Sequence, residues 1–240
     1  MQKIFYLFLI LSCSIISAQQ SYIDAKTIIN DYIEKIGGEK KLKKIKTLKK
    51  IISTTIKDVP DFNMLNEVIY KEPDLYSSEI TIDQIGQIEL VKYDGQNCFI
   101  IRNHNNEKIQ KPIEGLQLEE KKRDFAPFPI LNLTNQNPTF ELIDIIEIDN
   151  KPTYKIQVPI NKKTLLLFFD QESKLLVKKK VLDVKTVKTT KYFDYKKIKG
   201  VMFPFKTVST TEMNNKIIQQ TTSETQEIII NLNVSINNFQ

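Results

Sequence analysis

From Leu48 almost to its last residue the chain is a succession of short apolar runs, each set off from the next by turn-forming residues. Runs rich in Ile, Val, Thr, Tyr and Phe predict strands over residues 48–56, 64–71, 75–83, 87–93, 97–102, 140–148, 153–158, 163–169, 174–184, 186–198, 201–212, 216–224 and 226–233. In 153–158, Tyr154, Ile156 and Val158 share one face, with Lys155 and Gln157 on the other. Glu72-Pro73-Asp74, Asp94-Gly95, Asp149-Asn150, Asp170 to Ser173, Lys199-Gly200 and Asn214-Asn215 mark turns between strands. Strands so closely spaced leave no room for the helical crossovers of parallel pairing. The pattern therefore predicts a mainly β (α+β) chain built on a large antiparallel meander.

Two segments depart from it. Ile28, Ile29, Tyr32, Ile33 and Ile36 recur at helical spacing, which predicts an amphipathic helix from about Tyr22 to Ile36, with Ser21 and Asp24 as a capping-box pair. Gly37 and Gly38 then close the helix and turn the chain before Leu42 and Ile45 form a second short stripe, so the pair marks a helix-turn-helix corner. In the middle, Pro127 and Pro129 split residues 116–133 into a short charged helix and a short apolar one.

The first residues carry one lysine, an apolar run from Ile4 to Leu11 that continues through Ile16, and a small-residue site before Gln19. That is the outline of a secretory signal peptide over residues 1–18, too short to span a membrane, with one domain over 19–240. The mature protein is then expected in the periplasm. "ILSC" offers the alternative of an outer-membrane lipoprotein acylated at Cys13. After cleavage at Ala18 only Cys98 remains, so no internal disulfide forms, and inside "NCFII" this thiol reads as a small core residue.

The net charge is +6, falling to +5 without Lys3. Of the 35 cations only Arg102 and Arg123 are arginine, which leaves almost nothing for bidentate phosphate contacts and argues against nucleic acid as a partner. The lysines are spread among Ile and Asn as a solvated face would require; weak peripheral contact with anionic headgroups is compatible with them.

Four stretches, "AKTIINDYIEKIGGEKKLKKIKTL", "LVKYDGQNCFIIRN", "LLLFFDQESKLLVKKK" and "FDYKKIKGVMFPFKTV", together resemble LolA/LolB-like proteins of the outer-membrane lipoprotein-sorting type. The resemblance implies a strongly curved antiparallel sheet forming an incomplete β-barrel around an apolar cavity. The N-terminal helix-Gly-Gly-helix and the mid-chain helical segment would be its lid. It also implies a periplasmic carrier or chaperone whose partner is a lipid or a lipoprotein acyl chain. Where carriers of this type place an arginine on the strands after an early proline turn, this chain has "KEPDLYSSEITI".

The residues themselves bear on the cavity. "FII" at 99–101, "LLLFF" at 165–169, "VMFPF" at 201–205 and "III" at 228–230 are apolar on both parities, so both faces of the sheet should be dry there, against a cavity or in ordinary core packing. The expected cavity lining is Phe99, Ile101, Leu166, Phe168, Phe203 and Phe205, and the expected lid contacts are Ile29, Tyr32, Ile33, Ile36, Phe128 and Leu131. The second reading is a non-enzymatic envelope module that docks a protein partner with the same fold.

No catalytic residue, cofactor or metal is expected. The single histidine, His104, lies in the polar stretch "RNHNNEK", and the chain holds no HExxH, CxxC, GxSxG or P-loop pattern. Glu119 and Glu120 beside Lys121 and Lys122 read as helix-surface ion pairs and not as a catalytic dyad.

Overall fold

The computed structural model describes residues 23–59, 62–104 and 107–240. The signal peptide, Ser21 and Cys13 lie outside the described residues. Thirteen strands form one antiparallel sheet: β1 (Thr47–Ile56), β2 (Asn63–Lys71), β3 (Leu75–Ile82), β4 (Gly86–Tyr93), β5 (Cys98–His104), β6 (Glu107–Ile113), β7 (Glu141–Ile148), β8 (Lys151–Ile160), β9 (Lys163–Asp170), β10 (Leu176–Leu182), β11 (Thr186–Ile198), β12 (Val201–Met213) and β13 (Lys216–Ile230). Their order is β6-β5-β4-β3-β2-β1-β13-β12-β11-β10-β9-β8-β7. Every neighbour is consecutive in sequence except β1 and β13, which join two meanders at the centre. The edge strands β6 and β7 do not pair, so the sheet is curved and unclosed, an incomplete barrel.

Local chemistry explains the hairpins. Asp149-Asn150, Lys199-Gly200 and Asn214-Asn215 all have positive φ at both residues, the geometry of two-residue turns that match the twist of the flanking strands. The meander thus follows from side chains that tolerate the left-handed region.

Two strand expectations are corrected. Residues 107–113 form β6, which carries no apolar alternation because six of its seven residues are exposed, and whose Pro112 is compatible with an edge position. Residues 216–230 form one strand where two were expected. No turn residue separates its halves; a bulge opposite Ile51 and Ile52 absorbs the irregularity instead.

Helix α1 (Ala25–Ile36) starts three residues later than predicted, because Asp24 is itself the cap: its carboxylate accepts from the Thr27 amide at 2.6 Å. At the other end the Gly38 amide donates to the Ile33 carbonyl at 2.9 Å, and Gly37 at φ 146° brings the chain against Val201. A Cβ on Gly37 would lie 3.3 Å from Val201 Cγ2, so the glycine is what lets the corner seat on the sheet. The short α2 (Glu39–Leu42) buries Leu42 and lays Lys41 over the β11–β12 turn, with Nζ 3.4 Å from the Gly200 carbonyl. Helices α3 (Gly115–Phe125) and α4 (Pro129–Thr134) flank the predicted proline break.

The main core lies between these helices and the sheet: Ile28, Ile29, Ile33 and Ile36 of α1 and Ile130, Leu131 and Leu133 of α4 against Leu48, Ile156, Val158, Leu167, Phe169, Val201, Phe203 and Ile230. A second cluster, Val91, Tyr93, Cys98, Ile113 and Phe125, fills the β4–β6 side, with Cys98 as a buried packing residue. A third lies where Val234 and Phe239 of the C-terminal segment cover Ile69 and Leu75.

Candidate functional site

On the β8–β12 side the helices and the sheet do not close completely against one another. Between them is a hollow of about 350 Å³, within the roughly 300–1,000 Å³ usual for small-ligand sites. The strand wall is Leu165, Leu167, Val181, Met202 and Phe203; the helical cover is Tyr32 and Ile36 of α1 with Phe128, Ile130 and Leu131. Alternation makes the wall: Leu165 and Leu167 of β9 face Val158 and Ile156 of β8 across the pair, and all four point inward. The cover is held in part by aromatic contacts, Tyr32 to Phe169 at 5.2 Å and Phe128 to Phe203 at 5.8 Å between ring centres.

Charged groups gather along α3 and the neighbouring strand ends: Glu120, Arg123, Asp124, Lys163 and Lys179. Lys163 Nζ lies 2.8 Å from the Glu120 carboxylate and 3.1 Å from that of Asp183, a bridge that ties α3 to β9 and the end of β10. The Glu120 pair raises the Lys163 ammonium above its ordinary value. Glu119 and Lys122 make the expected i,i+3 contact only at 3.9 Å, and Glu120 turns instead to the sheet.

Lys50 also lines the hollow, from β1, where Leu48, Lys50 and Ile52 share the inner face. Its Nζ stands 5.4 Å from the centre of the Phe203 ring, and no carboxylate or carbonyl among the described residues pairs with it. Burial without a counter-charge holds this ammonium down to about 8. Tyr32 and Tyr192 line the same space, and burial pushes both phenols well above their usual value. Tyr195 instead donates to the Leu176 carbonyl at 2.8 Å.

Of the expected lining residues, only Phe203 contributes to the hollow. Phe205 packs against the main core with Lys196 Nζ 4.5 Å from its ring centre. Leu166 and Phe168 alternate to the outer face, opposite the inward Leu165 and Leu167, and Phe99 and Ile101 lie on the outer parity of β5, since Cys98 and Ile100 face the second core. Of the expected lid contacts, Tyr32, Ile36, Phe128 and Leu131 border the hollow, while Ile29 and Ile33 are buried in the core beside it.

Periodicity by itself does not single out Lys50, Lys163 or Tyr192, and it leaves the charges of α3 as surface ion pairs. For Lys50 a signal exists: it is the one cation in an otherwise apolar parity, Leu48-x-Lys50-x-Ile52. The others depend on which distant strand each meets, which periodicity does not encode.

The dry outer face has its own explanation. Phe168 is only 2% exposed although no helix covers it; its cross-strand neighbours are Lys155 and Lys178, and Lys178 Nζ lies 4.2 Å from its ring centre. The lysine stems shelter the ring while their heads stay wet.

A second, more polar cavity of about 550 Å³ lies near the start of α3, bordered by Asp74, Tyr93, Glu119, Lys122 and Asn132. Among the described residues no group of three or more His, Cys, Asp or Glu side chains is placed to hold a metal ion. No helix among them is long and apolar enough to cross a membrane.

No family model and no curated protein sequence matches the chain. Solved structures do. A DUF1329 family protein from Desulfovibrio piger superposes with a TM-score of 0.61 at 12% identity over 90% of this chain and 97% of its own. A LolA superfamily protein from Nitrosomonas europaea gives 0.59 at 15% over 91% and 98%. An outer membrane lipoprotein-sorting protein domain from Vibrio parahaemolyticus gives 0.60 at 12% over 90% and 97%. Identities this low carry the fold and nothing finer. With its unclosed antiparallel sheet and helical cover, the chain is LolA-like at the level of the fold.

Proposed function

We propose that the protein is an exported, non-enzymatic carrier or chaperone of the cell envelope that shelters an acyl chain or another apolar segment in the hollow under its helices. The observation that carries this reading is the space itself: about 350 Å³ walled by Leu165, Leu167, Val181, Met202 and Phe203, beside the main apolar core. An alkyl chain placed there gains about 25 cal/mol per Å² of apolar area removed from water, or ~0.8 kcal/mol per methylene, with no specific polar contact required. Export rests on residues 1–18, and the periplasm is the proposed location, whether the chain is cleaved after Ala18 or acylated at Cys13. The outer-membrane lipoprotein-sorting name of one structural neighbour agrees with an envelope role.

The test is uptake of a fluorescent fatty acid by delipidated full-length protein, followed by mass spectrometry of whatever co-purifies from cells. Saturable binding of about one probe per chain, competed by unlabelled lipid, is the expected result; no uptake by folded protein overturns the reading. The docking-module reading draws on one observation, the exposed Ile143 and Ile145 on the edge strand β7. A stoichiometric protein partner recovered without lipid would favour it.

A further inference from the structure

We propose that the hollow is selective for a single-chain amphiphile ending in a carboxylate, a fatty acid, and that Lys50 receives the carboxylate while the chain lies against Leu165, Leu167 and Phe203. This deepens the carrier reading and rests on it. Lys50 is placed differently from the lysines around it. Lys49, next in sequence, points to the outer face and pairs with Glu67 at 2.7 Å; Lys163 pairs with Glu120 and Asp183; Lys206 pairs with Glu224 at 3.2 Å. Lys50 points inward, over an aromatic ring and beside Ile228 across the β1–β13 pair, with no acid against it. An inward lysine is unfavourable in a wall whose task is only to be apolar, since a charge partly removed from water without a partner is destabilising. It becomes favourable when the occupant brings the missing anion.

The surroundings agree with that complement. The acids bordering the hollow, Glu120 and Asp124, are both on α3, and Glu120 is engaged by Lys163. The phenols of Tyr32 and Tyr192, which have no hydrogen-bond acceptor among the described residues, are further donors facing the same space. The lowered ammonium of Lys50 is what burial without a counter-charge produces, and a carboxylate beside it reverses the shift. A volume of about 350 Å³ lies at the small end for ligand sites, which suits one alkyl chain.

The experiment compares laurate with dodecanol, the same chain with and without the charge, by displacement of a fluorescent probe from delipidated full-length protein at pH 7. The wild type is expected to prefer laurate by about 10- to 100-fold, the range for a hydrogen-bonded charge. Lys50→Met should abolish that preference and leave dodecanol binding equal or stronger. Lys50→Arg should keep most of it, and Lys49→Met, on the outer face of the same strand, should keep all of it. Equal affinity for the two ligands in the wild type overturns the assignment, as does a preference that survives in Lys50→Met. If neither ligand displaces the probe, or no probe binds, the carrier reading falls with it. If dodecanol binds as well as laurate, the carrier stands and only the role of Lys50 falls.

Discussion

At the β4–β6 end of the sheet, Phe125 descends from the last turn of α3, stacks on Tyr76 at 4.0 Å and reaches Tyr93 at 5.7 Å, with Val91, Cys98 and Ile113 around it. At the β8–β12 end Tyr32 of α1 and Phe128 reach the sheet from the cover without filling the space, and the inward Leu165, Leu167 and Met202 face a void. Both ends use the same alternating strands under the same run of helix, so the strands do not create the void. It arises where α3 presents Glu120, Arg123 and Asp124 to the sheet in place of an aromatic plug. One end holds an aromatic cluster with a polar cavity at its rim and the other an apolar container, and the difference is set by a few residues of the cover.

The comparison can be broken first at its aromatic end. Phe125→Ala removes a ring stacked on Tyr76 and tilted against Tyr93 and should cost about 3–5 kcal/mol of stability, read as a lower urea midpoint at unchanged slope. Leu165→Ala, a smaller and only partly buried side chain at the edge of the hollow, should cost less than half of that. Equal losses would mean that the hollow is closed in solution.

A second measurement concerns the charge within the container. With its ammonium lowered from 10.5 to about 8, folded Lys50 gives up its proton before the unfolded chain does. Below pH 8 both states hold the proton and the full cost of burying it is present; between pH 8 and 10.5 only the unfolded state holds it, so stability rises with pH. Lys50→Met should therefore be more stable than wild type by about 2–3 kcal/mol at pH 7, with the gap shrinking towards pH 10.5. Lys178, lowered chiefly by burial, acts in the same direction, and the raised phenols of Tyr32, Tyr192 and Tyr195 oppose it above pH 10. These groups are common to both proteins, so they cancel in the difference. A flat difference across that range would place Lys50 in water.

Chain length sharpens the comparison further. Each methylene added to a fatty acid should tighten binding about fourfold, ~0.8 kcal/mol, until the hollow is full, and then stop helping. An unbroken rise with length would locate the ligand elsewhere. The smallest effect is expected at the bridge between cover and wall: Lys163→Ala frees Glu120 and Asp183, should cost no more than about 1 kcal/mol in stability, and should speed probe release in stopped-flow. An unchanged release rate would exclude that bridge from gating.

Most of the fold can be read from the residues, since Asn and Asp at the turns fix the hairpins and alternation fixes strand direction. The container was harder to see, because apolar residues on both parities at 165–169 do not say which parity faces the helices. Leu166 and Phe168 looked as suitable as Leu165 and Leu167; the inward parity is decided by pairing with Ile156 and Val158 and by where α1 lands. β6 was missed because an exposed edge strand has no apolar face to reveal it.

The outward parity has a consequence for the electrostatics of the whole molecule. Phe168 is kept dry by lysine stems, so part of the surplus positive charge is a by-product of waterproofing the back of the wall with flexible methylene shingles. Such a roof sheds water at the cost of like-charge crowding among Lys155, Lys178, Lys180 and Lys191, felt at Lys178 itself. Trimming one of those stems to a short polar residue would expose ring surface at the same moment that it relieved repulsion, so the cationic character of this protein cannot be engineered away without making its back sticky.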